Sequence, residues 1–284
     1  MLGFYNINKP TGATSTQMVS IVKRVTHQKC GHLGTLDPMA SGVLPVAVGK
    51  ATKLFDWFLN KDKKYFAIGN FGVLTDTLDS EGKIEVRETV SITKEQIDIV
   101  INQFKGEICQ IPPKYSSVCI NGRKAYDLAR DGKDFVMPTR KVNIYNLECV
   151  KEIGKNLFAF EIHCSAGTYV RSLILDIAQK LGTVATTVCI IRKYSGAFNI
   201  AESYTPEQII NGEAKLTLVE EVINLPKLEF SMQLADKLLN GQTLKTNQDN
   251  GQYLCYTNNR FMGIAKVDNK KIKIEINMWE NSND

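Results

Sequence analysis

Asp37 is the only acidic side chain before Asp56, and it sits in "CGHLGTLDPMASGVLPVAVGKATKL" on a stretch that carries Lys9, Lys23, Arg24, Lys29, Lys50 and Lys53. An Asp-Pro pair ordinarily makes a turn, because the carboxylate caps its own backbone and proline presets the next φ. Two details favour more. Gly31, Gly34 and Gly42 let a ligand approach the backbone closely. A carboxylate in a cationic surface also opposes polyanion binding, and attack on a sugar or base carbon would account for its presence. Arg171 lies near the start of the helix predicted over "TYVRSLILDIAQKLG". A cation there faces the positive end of the helix dipole, at a cost of about 0.3–1 kcal/mol unless an anion answers it. A guanidinium grips a carboxylate or phosphate through two parallel hydrogen bonds. Tyr65 follows Lys63 and Lys64, which puts a ring for stacking beside charge for phosphate. His32 could stack on or hydrogen-bond a nucleotide. Taken singly, each has a plainer reading: a turn aspartate, a solvated arginine, a strand tyrosine, a loop histidine.

Charge placement narrows the class. Residues 1–55 hold six Lys/Arg against Asp37 alone, and 114–141 hold seven against Asp127, Asp131 and Asp134. Clustered basic charge is the footprint of a phosphate-backbone binder or of a merely solvated surface, and charge alone divides these evenly. Seven scattered cysteines without a C-x-x-C pair argue for reduced thiols in the cytoplasm and against a zinc site or disulfide framework. The three histidines form no metal pattern. "DTLDSEG" fails the calcium-loop spacing and is read as a hairpin turn. G-x-G-x-x-G, P-loop and G-x-S-x-G motifs are absent, which disfavours nucleotide cofactors and serine hydrolysis. Signal-peptide and bilayer-length apolar stretches are not expected either.

The elements that must position these residues follow from periodicity. "GFYNINKP" reads as a strand, and "STQMVSIVKRV" as a helix capped by Ser15. "SGVLPVAVG", "KYFAIGNFGV" and "LFAFEIHCSAG" read as strands, the last with Phe158, Phe160, Ile162 and Cys164 on one face. Thr93/Gln96 and Thr205/Gln208 are capping boxes. Mixed strands and helices without strict alternation indicate an α+β fold. Pro226 marks a boundary, giving a main domain over 1–226 and a small, mostly β unit over 227–284.

Together these pieces resemble the bacterial tRNA pseudouridine synthase B family. "NKPTGATS" is similar to its K-P-x-G-x-T-S motif, and "GHLGTLDPMASGVLPVAVGKATK" follows its G-H-x-G-x-L-D-P-x-A-x-G-V-L segment almost letter for letter. "KKYFAIGNFGVLTDTLDSEG", "IPPKYSSVCINGRKAYDLARDG" and "CSAGTYVRSLILDIAQKLG" resemble its tyrosine segment, its T-arm clamp and its G-T-Y-I-R-S-L helix. The resemblance covers about residues 3–225. It implies a pseudouridine-synthase mixed sheet flanked by helices, an RNA-clamping insertion at about 114–141, and a C-terminal unit more loosely similar to a PUA domain. It implies isomerisation of uridine 55 in the tRNA T-loop by base flipping, with no cofactor or metal. Asp37 becomes the catalytic aspartate, Tyr65 the ring stacked on the flipped uracil and Arg171 the partner of Asp37. His32 helps hold the T-loop open, and Ile191 takes a pocket-wall position where the family often has Leu. Arg123, Lys124, Arg130 and Lys9 become backbone contacts. Cys119 stands where the family commonly has Lys, and Ser117 where it has Ala. A cytoplasmic monomer without an obligatory protein partner or membrane attachment is expected.

Two rivals are distinguishable. A non-catalytic T-arm chaperone on the same fold would bind RNA without forming pseudouridine. A glycoside hydrolase would need a second carboxylate, which Asp76 or Asp79 could supply.

Overall fold

Capping and alternation place the first elements around the Asp37 loop. The computed structural model describes residues 2–279, so residue 1 and residues 280–284 of the two expected domains lie outside the described residues. Strand β1 (Gly3–Lys9) leads into helix α1 (Ser15–Thr26). Thr14, not Ser15, caps this helix, in a reciprocal capping box with Gln17. Ser15 is buried instead, where its hydroxyl donates to the Leu36 carbonyl and accepts the Leu36 N–H, both at 2.9 Å. Strands β2 (Cys30–His32) and β3 (Ser41–Val48) flank the Asp37 loop. A short helix, α2 (Phe55–Leu59), precedes β4 (Lys63–Phe71). The TDTLDSEG segment turns between β5 (Val73–Thr75) and β6 (Ile84–Arg87), the hairpin expected. Helix α3 (Lys94–Ile101) starts at the expected Thr93/Gln96 box and is followed by β7 (Gly106–Gln110).

The basic insertion forms a small hairpin, β8 (Cys119–Ile120) and β9 (Arg123–Lys124), and one short helix, α4 (Ala125–Arg130). The long antiparallel pair β10 (Arg140–Gly154) and β11 (Leu157–Cys164) returns the chain to helix α5 (Val170–Lys180). Then come β12 (Ala185–Ser195), β13 (Phe198–Asn199), α6 (Pro206–Ile210) and α7 (Val219–Val222).

Among the described residues, nine strands form one mixed sheet in the order β1-β3-β12-β4-β11-β10-β7, with β2 beside β3 and β13 beside β12. The β12–β3 pairing is parallel, at Ile191↔Ser41 and Arg192↔Gly42. One face is covered by α1, α3, α5 and α6, and its core includes Met18, Val22, Ile97, Phe158, Phe160, Leu173, Ile174, Ile177 and Ile209. Gly69 is small for a reason: a Cβ there would lie 2.8 Å from the Ile174 side chain, so α5 could not sit so close to β4.

Beyond Pro226 come β14 (Lys227–Glu229), α8 (Met232–Leu239), β15 (Leu244–Lys245), β16 (Gly251–Thr257), β17 (Arg260–Asp268) and β18 (Lys271–Asn277). These strands make a second sheet in the order β14-β16-β17-β18-β15, with its own core around Ala235, Leu238, Met262, Val267 and Ile272. A further apolar cluster joins the two parts. It packs Phe4, Leu33, Val43, Leu54, Phe58 and Phe198 with Leu254, Tyr256, Ile264 and Met278.

Candidate active site

Asp37 and Arg171 meet. The Arg171 Nη2 lies 2.8 Å from Asp37 Oδ2, although 134 positions separate the two in the chain. The guanidinium does not spend both ends on Asp37, as a two-bond grip would. Its Nη1 lies 3.0 Å from Asp79 Oδ2 and donates to the Thr77 carbonyl at 2.7 Å, while Nη2 also donates to the Tyr115 carbonyl at 3.0 Å. Arg171 is thus buried near the N-terminus of α5, and two carboxylates supply the negative charge that the helix dipole there lacks.

The carboxylates differ in access. The Asp37 side chain keeps 35% of its surface open, enough for a substrate atom to reach it; Asp79 keeps 6%. Asp79 also accepts the Thr77 hydroxyl at 2.6 Å and the Glu81 N–H at 3.1 Å. The preceding Leu78 adopts a left-handed φ of 61°, unusual for a residue with a bulky side chain. This turn, read from sequence as a plain hairpin, is therefore part of the site. The pattern T-D-T-L-D already held a second acid, but nothing in its spacing pointed to Arg171.

Tyr65 lies on the same side of the sheet, buried, with Arg192 directly opposite it on β12. Burial pushes the Tyr65 hydroxyl up to about 12 against the pull of Arg192, so the ring stays neutral. Arg192 is 1% exposed and was missed from sequence. Its Nε donates to the Val43 carbonyl at 2.7 Å, and its Nη1 and Nη2 donate to the Thr35 and Gly34 carbonyls at 3.2 and 3.1 Å. It ties the Asp37 loop to the sheet. A lone arginine inside the apolar run "TVCIIRKY" was the available signal.

His32 lies half-buried on β2, with its Nδ1 buried and unpartnered. Burial, and secondarily the Arg192 charge, hold its imidazole below the ordinary range and hence neutral near pH 7.

Two expectations need correction. Ile191 pairs with Phe66, while Ile190 pairs with Ala67 and Arg192 with Tyr65. Side chains alternate across a strand, so Ile191 points away from the Tyr65 face. Ile190, 5% exposed, is the isoleucine packed in the same cluster as Tyr65. Lys9 is not available to a phosphate. It is 0% exposed, and its Nζ donates to the carbonyls of Pro10, Ala13 and Pro38 at 2.9, 2.6 and 3.2 Å. Burial lowers its ammonium to about 8, with Asp37 opposing. Lys9 thus braces the Asp37-Pro38 turn from below.

The insertion keeps its expected cations at the surface. Arg123, Lys124 and Arg130 are exposed; Arg123 pairs with Asp131 at 2.7 Å, and Arg130 lies over the Tyr126 ring. Its own small core is Val118, Ala125 and Met137, with Ile120, Phe135 and Tyr169 packed on it.

The arrangement offers a reachable carboxylate fixed by a buried arginine, beside a neutral buried ring, with a cationic insertion whose Tyr115 carbonyl meets the same arginine. Residues 23–170 match the family described as TruB family pseudouridylate synthase (N terminal domain). A protein of Caldanaerobacter subterraneus subsp. tengcongensis named tRNA pseudouridine synthase B is 40% identical over 276 residues, covering 95% of this chain and 97% of its own. One of the same name from Clostridium tetani is 38% identical over 285 residues, covering 96% and 98%. Among solved structures, a chain of an H/ACA RNP bound to a substrate RNA containing 2′-deoxyuridine aligns with a TM-score of 0.71 at 23% identity, covering 99% of this chain and 86% of that one. A chain of the archaeal box H/ACA sRNP Nop10–Cbf5 complex aligns at 0.70 and 23%, covering 99% and 87%. These two likenesses show the fold alone.

Proposed function

The chain belongs to the TruB family of pseudouridylate synthases, and from that membership we propose that it converts uridine 55 in the T-loop of tRNA to pseudouridine. The tRNA substrate is supported by the names of the relatives that match nearly its whole length. The observation that carries the site assignment is the Asp37 carboxylate, open on one side and fixed by Arg171 on the other.

The target base must first leave its stack. Tyr65 supplies a neutral ring against which the uracil can lie, and Ile190 an apolar wall beside it. Asp37 then attacks the sugar or the ring, forming a covalent bond, and the bond between N1 and the sugar breaks. The uracil turns within the pocket, C5 bonds to the sugar carbon, and the bond to Asp37 breaks to return the free carboxylate. C5 gives up its hydrogen and N1 gains one, so atoms and charge balance within the nucleoside and no oxidant is consumed. Arg171 holds the carboxylate in one orientation. Arg192 and Lys9 hold the backbone on either side of it.

We take residues 1–226 as the catalytic body and 227–284 as a small PUA-like unit that touches the RNA elsewhere. In this reading Arg123, Lys124 and Arg130 meet T-arm phosphates and His32 helps hold the loop open. The protein works as a monomer in the cytoplasm without an obligatory protein partner. No helix among the described residues is long and apolar enough to cross a membrane.

The deciding experiment maps pseudouridine in unmodified tRNA after incubation with the protein alone. Modification at position 55 is expected. T-arm binding without any modification would leave the chaperone reading standing instead.

A further inference from the structure

Four contacts stitch residues 110–115 to the start of α5. Gln110, 1% exposed, accepts the Tyr169 N–H through Oε1 at 2.7 Å and donates from Nε2 to the Tyr169 carbonyl at 3.1 Å. Ser172 Oγ donates to the Ile111 carbonyl at 2.7 Å, and Arg171 donates to the Tyr115 carbonyl. A primary amide carries a donor and an acceptor side by side, as a backbone residue does. Gln110 therefore closes on one residue's backbone much as a neighbouring strand would.

The place where it closes matters. Tyr169 is the N-cap of α5, makes no side-chain cap bond itself, and lies two positions before Arg171. Its carbonyl also accepts the Leu173 N–H, the bond that begins the helix. Its ring packs on the small core of the insertion, around Val118, Ala125 and Met137. Gln110 ends β7, the last strand on its side of the nine-stranded sheet, and the chain runs from it straight into the insertion. One buried amide thus joins three things: the rigid sheet, the base of the cationic flap and the helix start that aims Arg171. A buried amide left unpaired is costly, whereas an apolar side chain would fill the space without that risk.

We propose that Gln110 is a positioning residue, holding the start of α5 so that Arg171 meets Asp37 in one orientation. This rests on the reading of Asp37 as the reacting group.

The test is a double-mutant cycle read by single-turnover pseudouridine formation on a T-arm hairpin, with RNA affinity and thermal midpoint measured alongside. Gln110→Met keeps the volume and removes both bonds to Tyr169, together with the Gln110 side chain's interaction with the Asp176 carboxyl. It should lower the rate on the order of 10–100-fold, as expected for a misplacement of about 1 Å, and leave affinity unchanged. In an Arg171→Lys background the same substitution should cost little further, because both changes act through one contact. If Gln110→Met does not fold, Gln110→Asn carries the cycle, since it keeps the amide, places no second carboxyl beside Asp176 and shortens the reach to Tyr169 by one carbon. Fully additive losses in the double variant, or a fall in thermal midpoint with no fall in rate, would overturn the inference. The unsubstituted protein runs in the same assay. If it forms no pseudouridine, the assigned reaction falls and this inference with it; a normal rate with additive losses overturns this inference alone.

Discussion

Asp37 and Asp79 are held by opposite ends of one guanidinium, at 2.8 Å from Arg171 Nη2 and 3.0 Å from Nη1. The closed carboxylate anchors the arginine and the open one is left accessible. Two carboxylates against one guanidinium leave the trio with an excess negative charge, which explains how a buried arginine is tolerated near the positive end of a helix. The same trio also explains why lysine is a poor substitute: an ammonium is a point charge on a flexible stem and lacks a planar fork with which to hold two carboxylates in fixed directions.

Arg171→Lys should therefore lose roughly 100-fold in single-turnover rate while binding T-arm RNA normally. Arg171→Met should also destabilise the protein by about 3–5 kcal/mol, because Asp79 would remain buried without its partner. Rates and denaturant midpoints of both variants check this. A lysine variant as fast as the parent would show that the shared fork is not what orients Asp37.

Asp37→Asn removes the charge and keeps the shape. It should bind T-arm RNA with near-parental affinity and form no pseudouridine. Turnover above background would take Asp37 out of the nucleophile role.

The insertion lends itself to a salt titration. Arg123 and Asp131 are about half exposed, and such surface pairs contribute only about 0–1 kcal/mol, so a phosphate can displace Asp131 at little cost. Reversing Arg123 and Lys124 to Glu should lower the slope of log affinity against log salt by roughly 0.7–0.9 per lost phosphate contact. An unchanged slope would mean that these side chains do not reach the backbone.

Asp176, in the second half of α5, gives a pH signature. Burial pushes its carboxyl up to about 6, with the Gln110 side chain opposing. A raised folded-state value means that its contribution to stability is full below about pH 4 and is lost as pH rises through about 6. Asp176→Asn should then gain on the parent between pH 4 and 7, by on the order of 1 kcal/mol after allowing for its partial exposure. Urea midpoints across that range decide it; parallel curves for parent and variant would show that Asp176 is not strained.

The Asp37 loop was legible because a dense motif and a lone charge fell in the same place. Helix α5 was legible because Val170, Leu173, Ile174 and Ile177 repeat at helical spacing, and all are buried. The misreadings share a cause: each turned on a single position. Thr14 and Ser15 are both good caps, and only the tertiary contact of Ser15 with Leu36 separates them. Ile190 and Ile191 are chemically the same, and a one-residue step in a strand exchanges faces. A bulge between Arg192 and Tyr194 blurs the alternation there. Lys9 looked like a phosphate contact because charge is visible in sequence and burial is not. Asp79, Arg192 and Gln110 work through partners more than 50 positions away, and no local pattern announces such partners.

The apolar cluster that joins Phe4, Val43 and Phe198 to Leu254, Ile264 and Met278 ties the two parts together in stability. Parting them would bare both sides of one interior to water, so neither side keeps its full hydrophobic gain alone. Cut at Pro226, each fragment would carry an apolar scar where its neighbour had lain.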